Sequence, residues 1–356
     1  MKTNVFDKET DPKEKTISHA DFEAIMADAK KMGSMKEAVL AHAATYGIEN
    51  IDVLFPDARS LRTTPDIVKR DDGWVAGVLA AVNKTPFSRI RSQSADLTAD
   101  EARAKGYLTG KRKIEEVFPV MKRITTPTTI YKKQKLDRDD IVDITDFDVV
   151  AWTRGEMRGR LDEELGRALL IGDGRNVAAE DKIKEDNIRP IWTDDEFYAP
   201  KVLLEENKKV IDIIDEVVRA RKLYKGSGNP VFYTTETMIT DMMLVRDLNQ
   251  RRIYNTEAEL ASALRVSRVV AVEVMEDQKR TLPNSTDEVE LIGIMVNLRD
   301  YTVGADKGGQ VNMFDDFDID YNQYKYLIET RCSGALTKPK SAVILEKKAA
   351  ETEPVG

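Results

Sequence analysis

The stretch Val149–Ile171 constrains the fold more than any other part of this chain. Val150, Met157, Leu161, Leu165, Ala168 and Leu169 recur mostly at three- and four-residue steps, with Arg154, Arg158, Arg160, Asp162 and Glu163 between them. Such spacing gathers the apolar side chains on one stripe of an α-helix. Asp146 or Asp148 offers an N-cap and Gly172 a stop. At about 1.5 Å per residue the helix is about 34 Å long, a rigid spine on which neighbouring elements must pack. Burial of its larger apolar side chains contributes roughly 1.5–3 kcal/mol each before conformational entropy is subtracted.

Ahead of the spine, Ser18 with Asp21 and Ser34 with Glu37 read as capping-box-like starts of two short helices closed by Gly33 and Gly47. From Ile48 to about Thr85, prolines and scattered charge predict an extended arm, interrupted by a short apolar helix that opens at Trp74 and ends near Asn83. Thr98 and Glu101 cap a further helix ending at Gly106. Two strand-like runs, Lys113–Ile124 and Thr128–Leu136, flank Thr125, Thr126 and Pro127, which predicts one long β-hairpin. A two-stranded ribbon with so few large apolar residues is marginal in water and needs a surface to lie on, a neighbouring subunit's included.

Beyond Gly174 the pattern mixes helices and strands. A helix runs through Val210, Ile213, Ile214, Val217 and Val218, and a buried strand covers Val231–Thr234. A Met-rich helix holds Met238, Met242 and Met243, and strands are expected at Arg268–Met275, Glu290–Val296 and Tyr324–Thr330. Segregated helices and strands of this kind argue for an α+β fold. The last residues, EKKAAETEPVG, have the composition of a disordered tail.

Charge sorts the functions available. The net charge is −8, yet ten basic residues between Arg103 and Lys135 face only Glu115 and Glu116, a local +8 that leaves −16 on the rest. A basic segment on an acidic body suits contact with another copy of that body, since complementary potentials steer and register association. Arg112, Lys113, Phe118, Tyr131, Lys132, Lys133 and Lys135 are the candidate contact residues on the basic side, with Asp315, Asp316 and Asp318 on the acidic side. Of these, Tyr131, Phe118, Arg112 and Lys133 are the expected anchors.

Other readings are weaker. FDDFDID (Phe314–Asp320) offers Asp315, Asp316, Asp318 and Asp320 to a calcium ion, but it lacks the central Gly and twelfth-position Glu of a Ca²⁺ loop, so an acidic edge is preferred. Gly172-Asp173-Gly174 follows a helix and lacks the Gly-Lys-Ser/Thr ending of a phosphate loop. One cysteine, Cys332, and two histidines, His19 and His42, exclude cysteine-based zinc chemistry, and Cys332 matches no thiol-protease spacing. The lysine clusters lack the interleaved aromatics of a nucleic-acid platform beyond Tyr131. No apolar run of about 18 residues could span a bilayer, and the N-terminus lacks the apolar core of a secretory signal, so a cytoplasmic site of synthesis is expected.

In order, the chain shows a helical leader, an arm, a basic hairpin, a long helix ending in Gly-Asp-Gly, a mixed domain and a final strand. This order resembles the major capsid proteins of tailed bacteriophages, the Hong Kong 97-like family, from about residue 85 onward. The resemblance is carried by WTRGEMRGRLDEELGRALLIGDG (Trp152–Gly174), IRPI (Ile188–Ile191) and YLIETRCSGALTKPKSAVIL (Tyr326–Leu345).

What the resemblance implies is an α+β capsid fold with a scaffold-like leader over 1–60, an N-terminal arm over 61–90 and an extended loop over 91–145. A peripheral domain would take 146–200 and 300–338, an axial domain 201–299 and 339–346, and a flexible tail 347–356. It further implies a non-enzymatic protein with no cofactor or metal that assembles through pentamers and hexamers into an icosahedral shell. That shell would enclose double-stranded DNA without sequence specificity, in a virion built in the host cytoplasm. Portal, scaffold or maturation protease and decoration proteins would be partners, and a membrane would not. Some relatives weld subunits by a Lys–Asn isopeptide bond, but no Lys, Asn and Glu constellation here matches residue by residue. Rival readings are an encapsulin-like shell around cargo protein, a nucleic-acid binder using the basic hairpin, and an enzyme sited in the mixed domain.

Overall fold

The computed structural model describes residues 73–95, 120–138, 147–176, 178–282, 287–305 and 311–349, with single positions at 24, 27, 28, 41, 104, 109, 112 and 285. The chain divides into two units, Met1–Arg70 and Asp71–Gly356. In the first, Ala24, Ala27, Asp28 and Ala41 are helical; the rest of the expected leader lies outside the described residues.

The spine of the second unit is α2 (Phe147–Leu170), preceded by α1 (Gly73–Ala81). Met157, Leu161, Ala168, Leu169 and Leu170 are buried along one side of α2, and Leu165 packs against the same core. The polar side is laced by Arg158–Asp162 and Arg160–Glu156 pairs, both at 2.9 Å. α1 is not part of a free arm. It buries Trp74, Val75 and Val78 and packs on α2, where a Cβ at Gly166 would stand 2.9 Å from the Trp74 ring. Mean apolarity around the whole of α1 left its sequence without a face, and the spine supplies the cover.

The spine stops where expected. The N–H groups of Ile171 and Gly172 donate to the Arg167 carbonyl at 2.9 and 3.0 Å, and Gly172 and Gly174 take φ of +92° and +67°. Left-handed backbone favours glycine because it lacks a Cβ. Gly-Asp-Gly is therefore a helix stop, and the Asp173 carboxylate pins the loop that follows. It accepts from Lys182 Nζ at 2.7 Å, from the Ile183 N–H at 2.7 Å and from the Arg175 N–H at 3.3 Å.

One sheet packs on this spine and a second shares its core. The first is built on β12 (Gln323–Leu336), which pairs antiparallel with β4 (Thr128–Asp137) on one side. On its other side it pairs with β10 (Tyr301–Ala305) and β11 (Asn312–Asp318). β1 (Asn83–Thr85) adds in parallel to β10, so residues 83–85 also fold onto their own chain.

The second sheet runs in the order β5 (Lys201–Leu204), β13 (Ala342–Lys348), β9 (Glu288–Val296), β6 (Val231–Thr234), β7 (Val269–Ala271), with β8 (Lys279–Thr281) also on β9. Its side chains alternate between two cores. Tyr233, Ile294, Val296 and Ile344 face the core shared with the spine. Phe232, Met295, Val343 and Leu345 face α3 (Val210–Ala220), α4 (Glu236–Met243) and α5 (Glu257–Ala263). Burial on both faces explains why these strands read as continuous apolar runs. Met242 is fully buried and Met238 and Met243 pack beside it, so the Met-rich helix fills core.

Three stretches that are far apart in sequence meet at the centre. Ile191 and Trp192 donate to the carbonyls of Leu169 and Leu170, and Arg189 donates to Gly334 at 2.9 Å. Spine end, Ile188–Ile191 and β12 are thus one packed junction, closed by the Tyr301 hydroxyl donating to the Arg189 carbonyl at 2.8 Å.

Several sequence expectations need correction. The runs on either side of Thr125–Pro127 do not form a hairpin with each other: β3 (Met121–Ile124) pairs with β2 (Arg91–Ser94), whereas β4 belongs to the first sheet. Thr125 is a junction, buried to 1% exposure, donating its N–H to Ile90 and its hydroxyl to Ser333. A helix reaching Gly106 is contradicted by Ala104, which is not helical. The strand expected over Arg268–Met275 ends at Ala271, and Glu273–Met275 is a 3₁₀ turn that buries Met275. Nor does the tail begin at Glu346: β13 runs to Lys348, and Glu346, 1% exposed, accepts from Trp192 Nε1 at 2.7 Å and from Arg280 Nε at 2.7 Å.

Candidate self-association surface

The expected contact residues sort by the pleat of the first sheet. Successive side chains of a strand point to opposite faces, and registered partners share a face. In β12, Tyr326, Ile328 and Thr330 are buried, and α2 packs over that face. Lys325, Leu327, Glu329 and Arg331 therefore point outward. Registry carries the same division to both neighbours. Tyr131 lies opposite Glu329, Lys133 opposite Leu327 and Lys135 opposite Lys325; on the other side Asn312, Phe314 and Asp316 lie opposite Glu329, Leu327 and Lys325.

The outward face thus gathers Tyr131, Lys133, Lys135, Phe314, Asp316 and Asp318, six side chains from two segments remote in sequence. Tyr131 is 58% exposed and Phe314 51%, large apolar groups that a lone subunit leaves in water. Lys132 and Asp315 belong to the opposite face. Asp315 approaches Arg154 of the spine at 3.7 Å, and that guanidinium stands 5.7 Å from the Tyr326 ring centre.

Asp318 is held internally. Lys325 Nζ donates to its Oδ2, and the Asp320 N–H donates to its Oδ1 at 3.2 Å. The lysine hydrogen bond holds the Asp318 carboxyl below its ordinary range, and reciprocally holds Lys325 above its own. This geometry also disposes of the calcium reading. In an extended strand Asp315 faces away from Asp316 and Asp318, and same-face neighbours stand about 6.5–7 Å apart, too dispersed for one ion. Among the described residues no cluster of His, Cys, Asp or Glu could hold a metal.

The remaining candidates fare differently. Arg112 is exposed, and Lys113 and Phe118 lie outside the described residues. Arg123, counted with the basic segment, is 4% exposed and unavailable to a partner. Its guanidinium donates to both Asp194 carboxylate oxygens, one at 2.8 Å, and to the Leu336 carbonyl at 2.9 Å, and lies 3.5 Å from the Tyr198 ring centre. A buried arginine in a basic run carries no local sequence signal, since its partner is remote. Cys332 is buried on β12 beside a cavity of about 130 Å³ lined by Leu79, Leu165, Leu169 and Val303. Burial pushes its thiol up to about 12, which suppresses the thiolate a nucleophile requires.

The chain is thus a mixed-topology α+β fold in which one sheet packs on the spine, a second shares its core, and the outer face of the first sheet stays exposed. The chain belongs to the phage capsid family, whose model matches residues 77–347, and its fold is the Hong Kong 97-like capsid fold. Similar folds occur in the capsid of a native GTA particle computed with C5 symmetry, at 11% identity and TM-score 0.57, covering 81% of this chain and 95% of that one. A Mycobacterium phage Ogopogo structure matches at 10% identity and TM-score 0.54, covering 76% and 91%. A Mycobacterium phage Bobi structure matches at 9% identity and TM-score 0.52, covering 81% and 95%. No curated protein matches by sequence.

Proposed function

We propose that the chain is the major shell subunit of a phage head, assembling through pentamers and hexamers into an icosahedral particle around double-stranded DNA. It works by area and shape, without catalysis or cofactor, in the virion. On this reading the first sheet with the spine is the peripheral domain, and the second sheet with α3–α5 the axial domain. The ribbon of β2 and β3 is the base of the extended loop, a narrower span than residues 91–145. Scaffold, protease, portal and decoration proteins are its expected partners.

The observation that carries the proposal is the outward face of β4, β12 and β11. Tyr131 and Phe314 are more than half exposed there, with lysines on the β4 side and aspartates on the β11 side, and an exposed apolar surface rimmed by charge marks an interaction site. Light scattering after size-exclusion chromatography, with negative-stain imaging, tests it. Rings or closed shells far above 40.2 kDa are expected; a chain that stays monomeric at high concentration, with or without scaffold, overturns it. Protein cargo in place of DNA inside such shells would favour the nanocompartment alternative.

A further inference from the structure

The two edges of the first sheet's outer part carry opposite charge. Among the described residues β4 pairs only with β12, and β11 likewise pairs only with β12 on its other side, so each has an unpaired outer edge. One edge bears Lys132, Lys133 and Lys135, none with an ion-pair partner among the described residues, and the other bears Asp315, Asp316 and Asp318. Each edge repels itself and attracts the other, because like charges directly opposite destabilise a ladder and opposite charges support it.

Sequence complementarity fixes a register. Both strands run antiparallel to β12, hence parallel to each other. Setting Tyr131 beside Phe314 in a parallel ladder places Ile130 beside Met313, Lys132 beside Asp315, Lys133 beside Asp316 and Lys135 beside Asp318. Every lysine meets an aspartate and Ile130 and Tyr131 meet apolar side chains, while Gln134 lies beside Phe317. No antiparallel register, and no other parallel one, pairs all three lysines with aspartates, because the Lys-Lys-x-Lys spacing matches Asp-Asp-x-Asp only in the same direction. Within one chain β12 separates the two strands and they face away from each other.

We propose that β4 of one copy adds in parallel to β11 of the next, Lys132, Lys133 and Lys135 lying along Asp315, Asp316 and Asp318, to make a sheet continuous across the subunit boundary. This rests on the shell reading and names one of its contacts. The joint is heterologous, so each copy offers a lysine edge to one neighbour and an aspartate edge to the other, and the series closes as a ring or continues as an open chain. Asp318 keeps its Lys325 bond, since a carboxylate accepts several hydrogen bonds.

Cysteine pairs test the register. In the full chain, Lys133→Cys and Asp316→Cys on adjacent copies would stand at the strand spacing of about 4.8 Å, within disulfide reach; within one copy they are separated by more than about 9 Å. Mixing the two single variants under mild oxidation should give a cross-linked dimer that neither variant forms alone, and the double variant a ladder of higher species. Lys133→Cys mixed with Asn312→Cys, about 13 Å off register, should give none. Particles on the imaging grid without the 133–316 link overturn this pairing and leave the shell reading standing. Equal linking to position 312 overturns the register, and a monomer without links overturns both.

Discussion

Asp173 shows how a residue inside a sequence motif acquires a role the motif did not announce. Burial alone would raise its carboxyl, but hydrogen bonds from Lys182 and from the Ile183 and Arg175 N–H groups outweigh it and hold the carboxyl below its ordinary value of 3.8. A depressed folded value means the stabilisation is present above about pH 3.8 and is lost as pH falls through the folded value. Asp173→Asn keeps the side chain's shape and removes its charge, so it should cost about 1.5–3 kcal/mol at neutral pH. The gap between variant and wild type should narrow as pH falls below about 3.8 in urea titrations. A gap unchanged with pH would show that the charge is not what pins the loop. The Gly-Asp-Gly stop itself was legible from Gly172 after an amphipathic run; the buried carboxylate was not, because Lys182 and Ile183 lie in a connector with no periodicity.

At the scale of elements, the β2–β3 ribbon depends on one buried arginine. Arg123 leaves the ribbon and enters the core, where its Asp194 partner has no exposed side-chain surface. Truncation of such a pair is expensive because it strands a buried charge, so Arg123→Ala should destabilise the chain by about 3–5 kcal/mol in denaturant unfolding. Adding Asp194→Ala should restore part of the loss. A single variant within about 0.5 kcal/mol of wild type would mean the pair carries little. Element by element, the sequence revealed α2 and α3 by the spacing of their apolar residues, and the helix at Trp74, β6 and β9 as short apolar runs. It missed β2, since Arg-Ser-Gln-Ser has no apolar residue to mark a strand, and it misassigned β3 and β4 because Thr-Thr-Pro between two strands has the composition of a hairpin turn. β10 and β11 were missed as well: Tyr301–Ala305 is short, and the charges of Asn312–Asp318 resemble a loop.

For the whole molecule, the shell reading predicts that assembly energy concentrates in a few anchors. Alanine at the exposed Arg112, Tyr131 and Lys133 should each change the unfolding free energy by no more than about 0.5 kcal/mol, and with Phe118→Ala added should abolish rings or shells in negative stain. Unchanged assembly would show that these four are not the anchors. Five of the ten candidate contact residues, Tyr131, Lys133, Lys135, Asp316 and Asp318, share one face only because β12 lies between their two strands.

The amino-acid sequence by itself determined the long spine and its stop, the α+β class, and the opposite charges of two distant segments. These depend on local spacing, which a helix or strand period converts directly into a face. Only the tertiary structure decided which strand lies beside which, that Arg123 is buried, and that the lysine and aspartate runs form opposite edges of one sheet. Strand partners are chosen by burial and by hydrogen bonds between residues far apart in the chain, and no local window of sequence contains both members of such a pair.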